Sequence, residues 1–79
     1  MHLRDVMETN NKNIETGYVY VSTTETFDND LETMVFMCNS DGIVQDWSGV
    51  DCEYYTSVEE AESGHKMMVA KWGKLAAFN

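Results

Sequence analysis

The sequence predicts an α+β domain, an antiparallel β-meander of three to four strands with one C-terminal α-helix packed on one face. Three observations lead there. Runs of aromatic and β-branched residues recur between Tyr18 and Tyr55, and clusters of Asn, Asp, Ser and Gly that favour turns separate them. The last third carries apolar residues at three- and four-residue spacing behind a helix-start signal. The chain has 79 residues and no proline. That length suits a single domain, which buries only ~60% of its unfolded surface.

Residues 1–16 are polar and mixed and read as a mobile or loosely docked N-terminal arm, with at most a short frayed helix over Leu3–Glu8. Residues 17–79 form the single domain. Gly17 opens the run Tyr18-Val19-Tyr20-Val21-Ser22-Thr23-Thr24, which suits a half-buried strand. Phe27-Asp28-Asn29-Asp30 breaks it as a turn. Leu31–Cys38 is the most apolar segment and fits a central strand. Asn39-Ser40-Asp41-Gly42 closes a hairpin, with Gly42 at positive φ, and Ile43–Trp47 returns as its partner. Ser48-Gly49 reads as a further turn. In the alternating stretch that follows, Val50, Cys52 and Tyr54 are expected inward and Asp51, Glu53 and Tyr55 outward.

Ser57-Val58-Glu59-Glu60 is a capping box, in which the Ser57 hydroxyl takes the Glu60 N–H and Glu60 reaches back to Ser57. Val58, Ala61, His65, Met68, Val69, Trp72 and Leu75 make the apolar stripe of the helix that follows. Its end is expected at Trp72 or Leu75, with Gly73 as a stop.

Chemistry-bearing motifs are sparse. His2, Cys38, Cys52 and His65 lack the close pairing of zinc ligands. Asp28-Asn29-Asp30-Leu31-Glu32 begins like a calcium loop but lacks its glycine and its bidentate acid. No metal and no cofactor is expected. The two cysteines read as reduced and buried, a cross-strand disulfide being the alternative. No nucleophile motif or phosphate-cradling loop is present, and so thin a core encloses a substrate poorly. No catalytic residue is assigned, and His65 reads as a partly buried helix histidine. No apolar run approaches the ~20 residues that cross a bilayer. The N-terminus has no signal-peptide pattern, so the protein is read as cytoplasmic.

Charge carries the functional reading. Fourteen acids stand against five bases, a formal net charge of -9. No lysine or arginine occurs between Asn13 and His65. Phosphate binding needs such cations, so direct nucleic-acid binding is disfavoured. A one-signed field draws positively charged partners instead. Asp51 and Glu53, two apart on a strand, stand about 7 Å from each other, close to the spacing of successive phosphates. Outward tyrosines among the carboxylates would add interface area.

Glu32-Thr33-Met34-Val35-Phe36, Asp46-Trp47, Glu59-Glu60-Ala61, Gly64-His65-Lys66, Met68-Val69 and Lys71-Trp72, in that order, resemble a group of short proteins encoded by tailed bacteriophages and prophages. The resemblance covers roughly residues 20–72. It implies a phage origin and a host bacterial cell, and it carries no assigned activity, so no functional residue transfers. The chain departs from the group at Ser48-Gly49-Val50-Asp51, where Glu-Leu precedes the Asp in others. It departs again at Glu53-Tyr54, where an Arg precedes the Tyr. By class, a short acidic phage protein also resembles anti-CRISPR and anti-restriction inhibitors, several of which mimic nucleic acid.

The expectation is therefore a non-catalytic inhibitor. It would bind and sterically block a basic nucleic-acid-binding surface of a host defence protein, such as a CRISPR effector or another nuclease. The residues expected at that contact are Asp46, Asp51, Glu53, Tyr55, Glu59, Glu60 and Glu62, followed by Asp28, Asp30 and Glu32. The alternative is a phage accessory protein acting as a homodimer through a sheet edge, or as a regulatory interaction module.

Overall fold

A computed structural model describes residues 1–26 and 30–74 of the chain. Four antiparallel strands, β1 (His2–Glu8), β2 (Tyr18–Glu25), β3 (Leu31–Cys38) and β4 (Val44–Tyr55), form one sheet in the order β1-β2-β3-β4. The helix α1 (Val58–Trp72) packs on one face of it. This is the α+β meander that the patterning predicts.

The N-terminal segment is the first correction. Residues 2–8 are neither a helix nor a loose arm but an edge strand, paired from His2↔Thr24 to Glu8↔Tyr18. Leu3, Asp5 and Met7 share the helix-side face with their cross-strand partners Thr23, Val21 and Val19. The connection to β2 is pinned as well. The Ile14 N–H donates to the Asn11 carbonyl, the Gly17 N–H to the Ile14 carbonyl and the Thr9 N–H to the Gly17 carbonyl. Ile14 thereby enters the core. A polar, mixed strand is weakly signalled in sequence because an edge strand buries little of either face.

The core lies between α1 and the central strands. Val19, Val21 and Val35 are fully enclosed and pack with Ile14 and Met68, with Met7, Met37, Val69 and Trp72 around them. Alternation places these side chains on one face because every second residue of a strand points the same way. The opposite face is open. On it Tyr20 lies 6.4 Å from Phe36, and Trp47 meets Phe36 edge-on at 5.0 Å. Trp47 nonetheless remains 70% exposed.

The second correction concerns β4. Ser48-Gly49 does not end a strand. It lies in an irregular stretch of a continuous strand, where the register jumps from Val35↔Asp51 to Met37↔Asp46. Beyond the irregularity, Glu53 pairs with Thr33 and Tyr55 with Leu31. Asp51, Glu53 and Tyr55 therefore share the helix side, while Val50, Cys52 and Tyr54 face outward on the open side. The alternation was real but its phase was reversed, since adding residues at a bulge shifts which side chains share a face. Cys38 is buried and Cys52 exposed, and both are free thiols. Burial pushes the Cys38 thiol up from its ordinary value.

The helix begins and ends where its signals stand. Ser57 is the N-cap and accepts from the Glu60 N–H. Glu60 reaches one residue further back than expected, taking the Thr56 N–H at 3.0 Å and the Thr56 hydroxyl at 2.6 Å. Gly73 follows the last helical residue, and its N–H donates to the Val69 carbonyl. Ala61, Gly64, His65 and Met68 form the buried stripe, whereas Val58 is exposed. The expected Phe27-Asp28-Asn29 turn and the Leu75 contact lie outside the described residues.

Met67 and Met68 are adjacent but differ in burial, at 70% and 5% exposed. Met68→Ala is expected to lower unfolding free energy by about 2–5 kcal/mol. Met67→Ala should stay within about 0.5 kcal/mol of the parent. Urea denaturation of the two variants checks this.

Candidate partner-binding groove

The C-terminal half of β4 and the first turns of α1 leave a groove between them. Glu53, Tyr54, Tyr55, Glu59, Glu60, Ser63, Gly64 and Met67 line it, an open groove of about 490 Å³. Three carboxylates and no lysine or arginine stand along its walls. Glu59 and Glu60 stand on it in the first turn of α1, where acids suit the positive end of the helix dipole. The cap bonds from Thr56, with a further backbone bond from Ser57, hold the Glu60 carboxyl below its ordinary value and fix its direction.

Tyr55 joins the two walls. A Cβ on Gly64 would fall 2.2 Å from its ring, so glycine is what lets the helix approach the strand this closely. The Tyr55 hydroxyl reaches Thr33 Oγ1 at 3.0 Å and Glu53 Oε1 at 3.5 Å. Burial raises the phenol from its ordinary value against the Thr33 hydrogen bond, and the nearby Glu53 and Asp51 charges add to the rise. Tyr54 carries the groove around to the open face, 66% exposed. The Glu32 charge across the strand pair raises its phenol most, with smaller contributions from Cys52, burial, a Glu32 hydrogen bond and Asp30.

Of the expected contact residues, Glu53, Tyr55, Glu59 and Glu60 thus meet in one groove. Glu32 and Asp30 adjoin it through Tyr54. The others do not join them. Asp51 is committed internally, accepting from Lys71 Nζ and Trp72 Nε1, each at 2.9 Å. Burial alone would raise its carboxyl, but those two bonds, the Cys52 N–H and the Lys71 charge bring it below the ordinary value. Asp46 accepts from the Ser48 hydroxyl at 2.7 Å and the Ser48 N–H at 2.9 Å, which lowers it and turns it back onto the irregular stretch of its own strand. Glu62 lies on the other flank of the helix, in a cleft of mixed sign with Leu3, Arg4, Asp5, His65 and Lys66. Asp28 lies outside the described residues.

The sequence reading missed a set of polar groups beneath the helix. His65 is 4% exposed, and its Nδ1 lies 2.6 Å from Thr23 Oγ1, its Nε2 2.7 Å from Asp5 Oδ2. Thr23 and Thr33 are both 0% exposed and their hydroxyls are 2.5 Å apart. Asp5, His65 and Thr23 have the acid–imidazole–hydroxyl order of a nucleophilic triad, yet the Thr23 hydroxyl is wholly enclosed. The available signal was the placement of two threonines in step with the buried valines, two residues on from Val21 and two before Val35. A hydroxyl there needs a polar partner.

No protein-family model, curated protein or solved structure matches this chain.

Gly64→Ala is expected to destabilise the fold by about 1–3 kcal/mol through overpacking against Tyr55. This opposes the ~1 kcal/mol gain that the same change gives in an open helix, and chemical denaturation reads the sign. Asp51 predicts an acid dependence. Its folded-state carboxyl is depressed, so its contribution is fully present well above the ordinary value of 3.8 and is lost as the pH falls through the folded value. Asp51→Asn should be less stable at neutral pH and show a flatter acid limb in thermal melts taken across pH.

Proposed function

We propose that this protein is a small acidic interaction module of phage origin that binds a basic, nucleic-acid-contacting surface of a host defence protein and blocks it sterically. The supporting observation is the groove itself. Glu53, Glu59 and Glu60 converge with Tyr54, Tyr55 and Met67, with no cation on the walls. Carboxylates beside exposed aromatic rings match the chemistry of lysine and arginine side chains, which pair with the one and stack on the other. The reading is non-catalytic and cytoplasmic. Among the described residues no helix is long and apolar enough to cross a membrane.

The unpaired outer edge of β4 favours a second reading, a homodimer formed by strand addition. A two-fold antiparallel pairing centred on Cys52 would set Asp51 opposite Glu53 of the second copy, and like charges directly opposite are destabilising. Light scattering over a range of concentrations separates the two readings.

The test is capture from host lysate on the immobilised protein, elution by salt, and assay of the recovered partner for nucleic-acid binding with and without the inhibitor. Affinity should fall steeply between low and high salt, because exposed charges more than ~10 Å apart are screened at 0.1 M. Joint substitution of Glu53, Glu59 and Glu60 by Gln should weaken binding at least about tenfold, ~1.4 kcal/mol. Asp46→Asn should leave it unchanged. Salt-independent capture, or a partner whose nucleic-acid binding is unaffected, rejects the proposal.

A further inference from the structure

A continuous hydrogen-bonded chain crosses the molecule beneath α1. It runs from Asp5 on β1 through His65 on α1, Thr23 on β2 and Thr33 on β3 to Tyr55 on β4. Its far end stands in the acidic groove, where the single phenolic proton of Tyr55 has two acceptors in reach, Thr33 Oγ1 at 3.0 Å and Glu53 Oε1 at 3.5 Å. Its near end opens into the cleft on the opposite flank, beside Arg4, Glu62 and Lys66.

The direction of the chain is set by proton counting. An ionised Asp5 only accepts, so His65 Nε2 carries the hydrogen that faces it. In neutral His65, Nδ1 is then an acceptor and takes the Thr23 hydroxyl proton. Thr33 donates to Thr23, and Tyr55 donates to Thr33. Each hydroxyl donates once, and no buried side-chain polar atom lacks a partner among the described residues. A proton taken up from solvent at His65 puts a hydrogen on Nδ1, which then donates to Thr23. Along the side-chain contacts present, Thr23 then donates to Thr33, Thr33 to Tyr55, and Tyr55 to Glu53. Every bond from Nδ1 to Tyr55 reverses, the Nε2–Asp5 bond keeps its direction, and no atom needs to move far.

We propose that this chain couples the charge state of His65 to the acidic groove by reversing the hydroxyl line and turning the Tyr55 proton onto Glu53. The groups around His65 are Asp5 with its neighbour Arg4 on β1, Thr23 on β2, and Glu62 and Lys66 on its own helix, while Thr33, Tyr55 and Glu53 are reached only through Thr23. Of these, the Asp5 carboxylate alone touches the ring as a charge. A Glu53 carboxylate that accepts from Tyr55 is less free to accept from a cation, so charging His65 weakens the groove. The regulatory consequence rests on the proposed function, whereas the coupling itself is a property of the free protein.

The test follows His65, Tyr55 and Glu53 side-chain signals by NMR across pH in the full chain and in Thr33→Val, which cuts the line while keeping its shape. In the parent protein, Tyr55 and Glu53 should each show the His65 midpoint in addition to their own. In Thr33→Val, His65 should still titrate while Tyr55 and Glu53 no longer follow it. Tyr55→Phe is the second variant, in which Glu53 should lose the His65 midpoint. Persistence of that midpoint at Glu53 in both variants, or its absence at Tyr55 in the parent, overturns the coupling. A decalysine peptide serves as the groove probe. Its affinity relative to Thr33→Val should drop about fivefold as His65 becomes charged, within the usual range of coupling between sites. Equal affinity on both sides of the midpoint overturns the regulation. Failure of decalysine to bind at any pH removes both the groove reading and its regulation, while the NMR result separately decides the coupling.

Discussion

The helix rests on the sheet through an imidazole. His65 is almost wholly enclosed, and a buried polar group left without a partner costs about 1–3 kcal/mol. Both ring nitrogens are therefore committed, one to Thr23 in the middle of the sheet and the other to Asp5 at its edge. Apolar contacts are non-directional, so Val19, Val21, Val35 and Met68 would tolerate the helix in several rotations. The two nitrogens tolerate only one. That demand makes β1 part of the fold, since without it Nε2 would have no acceptor. Ile14 and Met7 then complete the core from the same N-terminal segment.

The rotation in turn sorts the charges. With His65 over Thr23, Lys66 shares one flank with Arg4 and Glu62, and Lys71 reaches Asp51. Lys74 comes within 4.0 Å of Glu8. The described cations are thus drawn toward β1 and toward the C-terminal end of the helix. At the opposite corner, where β4 meets the first helical turns, no lysine or arginine lines the groove, and Lys71, held on Asp51, acts on Glu53 only from the neighbouring pocket. An even scattering of fourteen acids would carry no directional information. This arrangement does, because the groove is lined by acids without lysine or arginine while the cleft on the β1 flank is of mixed sign.

Much of this architecture was legible in sequence. The strands β2 and β3 and the helix with its Ser57 cap and Gly73 stop follow from residue types and period. Glu59 and Glu60 could be named because charge and capping are local properties, whereas Glu53 and Tyr55 rest on an outward phase that the sheet reverses, and they reach the groove from the helix side. What was hidden depended on register. Asp5 looks like any exposed acid until β1 is paired, and Thr23 and Thr33 look like ordinary strand residues until the helix lies across them. The inversion of β4 had a single cause, an irregularity at Ser48-Gly49 read as a turn, which flips every side chain beyond it. Asp51 stands apart from the groove because of that flip, which brought its carboxylate under Lys71 and Trp72.

The groove and the buried chain meet at Tyr55, which gives that residue three tasks. Its ring fills the space that the missing Gly64 side chain leaves, its hydroxyl ends the polar line from His65, and its edge forms part of the acidic wall. Like charges on Glu53, Glu59 and Glu60 repel across the groove, and that repulsion acts to part β4 from α1. The Tyr55–Gly64 contact and the Glu60 cap oppose it. A cation seated between the walls would remove the repulsion itself, and a ligand that binds only the folded state stabilises that state by mass action. Binding and folding in so thin a domain are then not separable. The corner that is least neutralised in the free protein is the corner a basic partner would stabilise most.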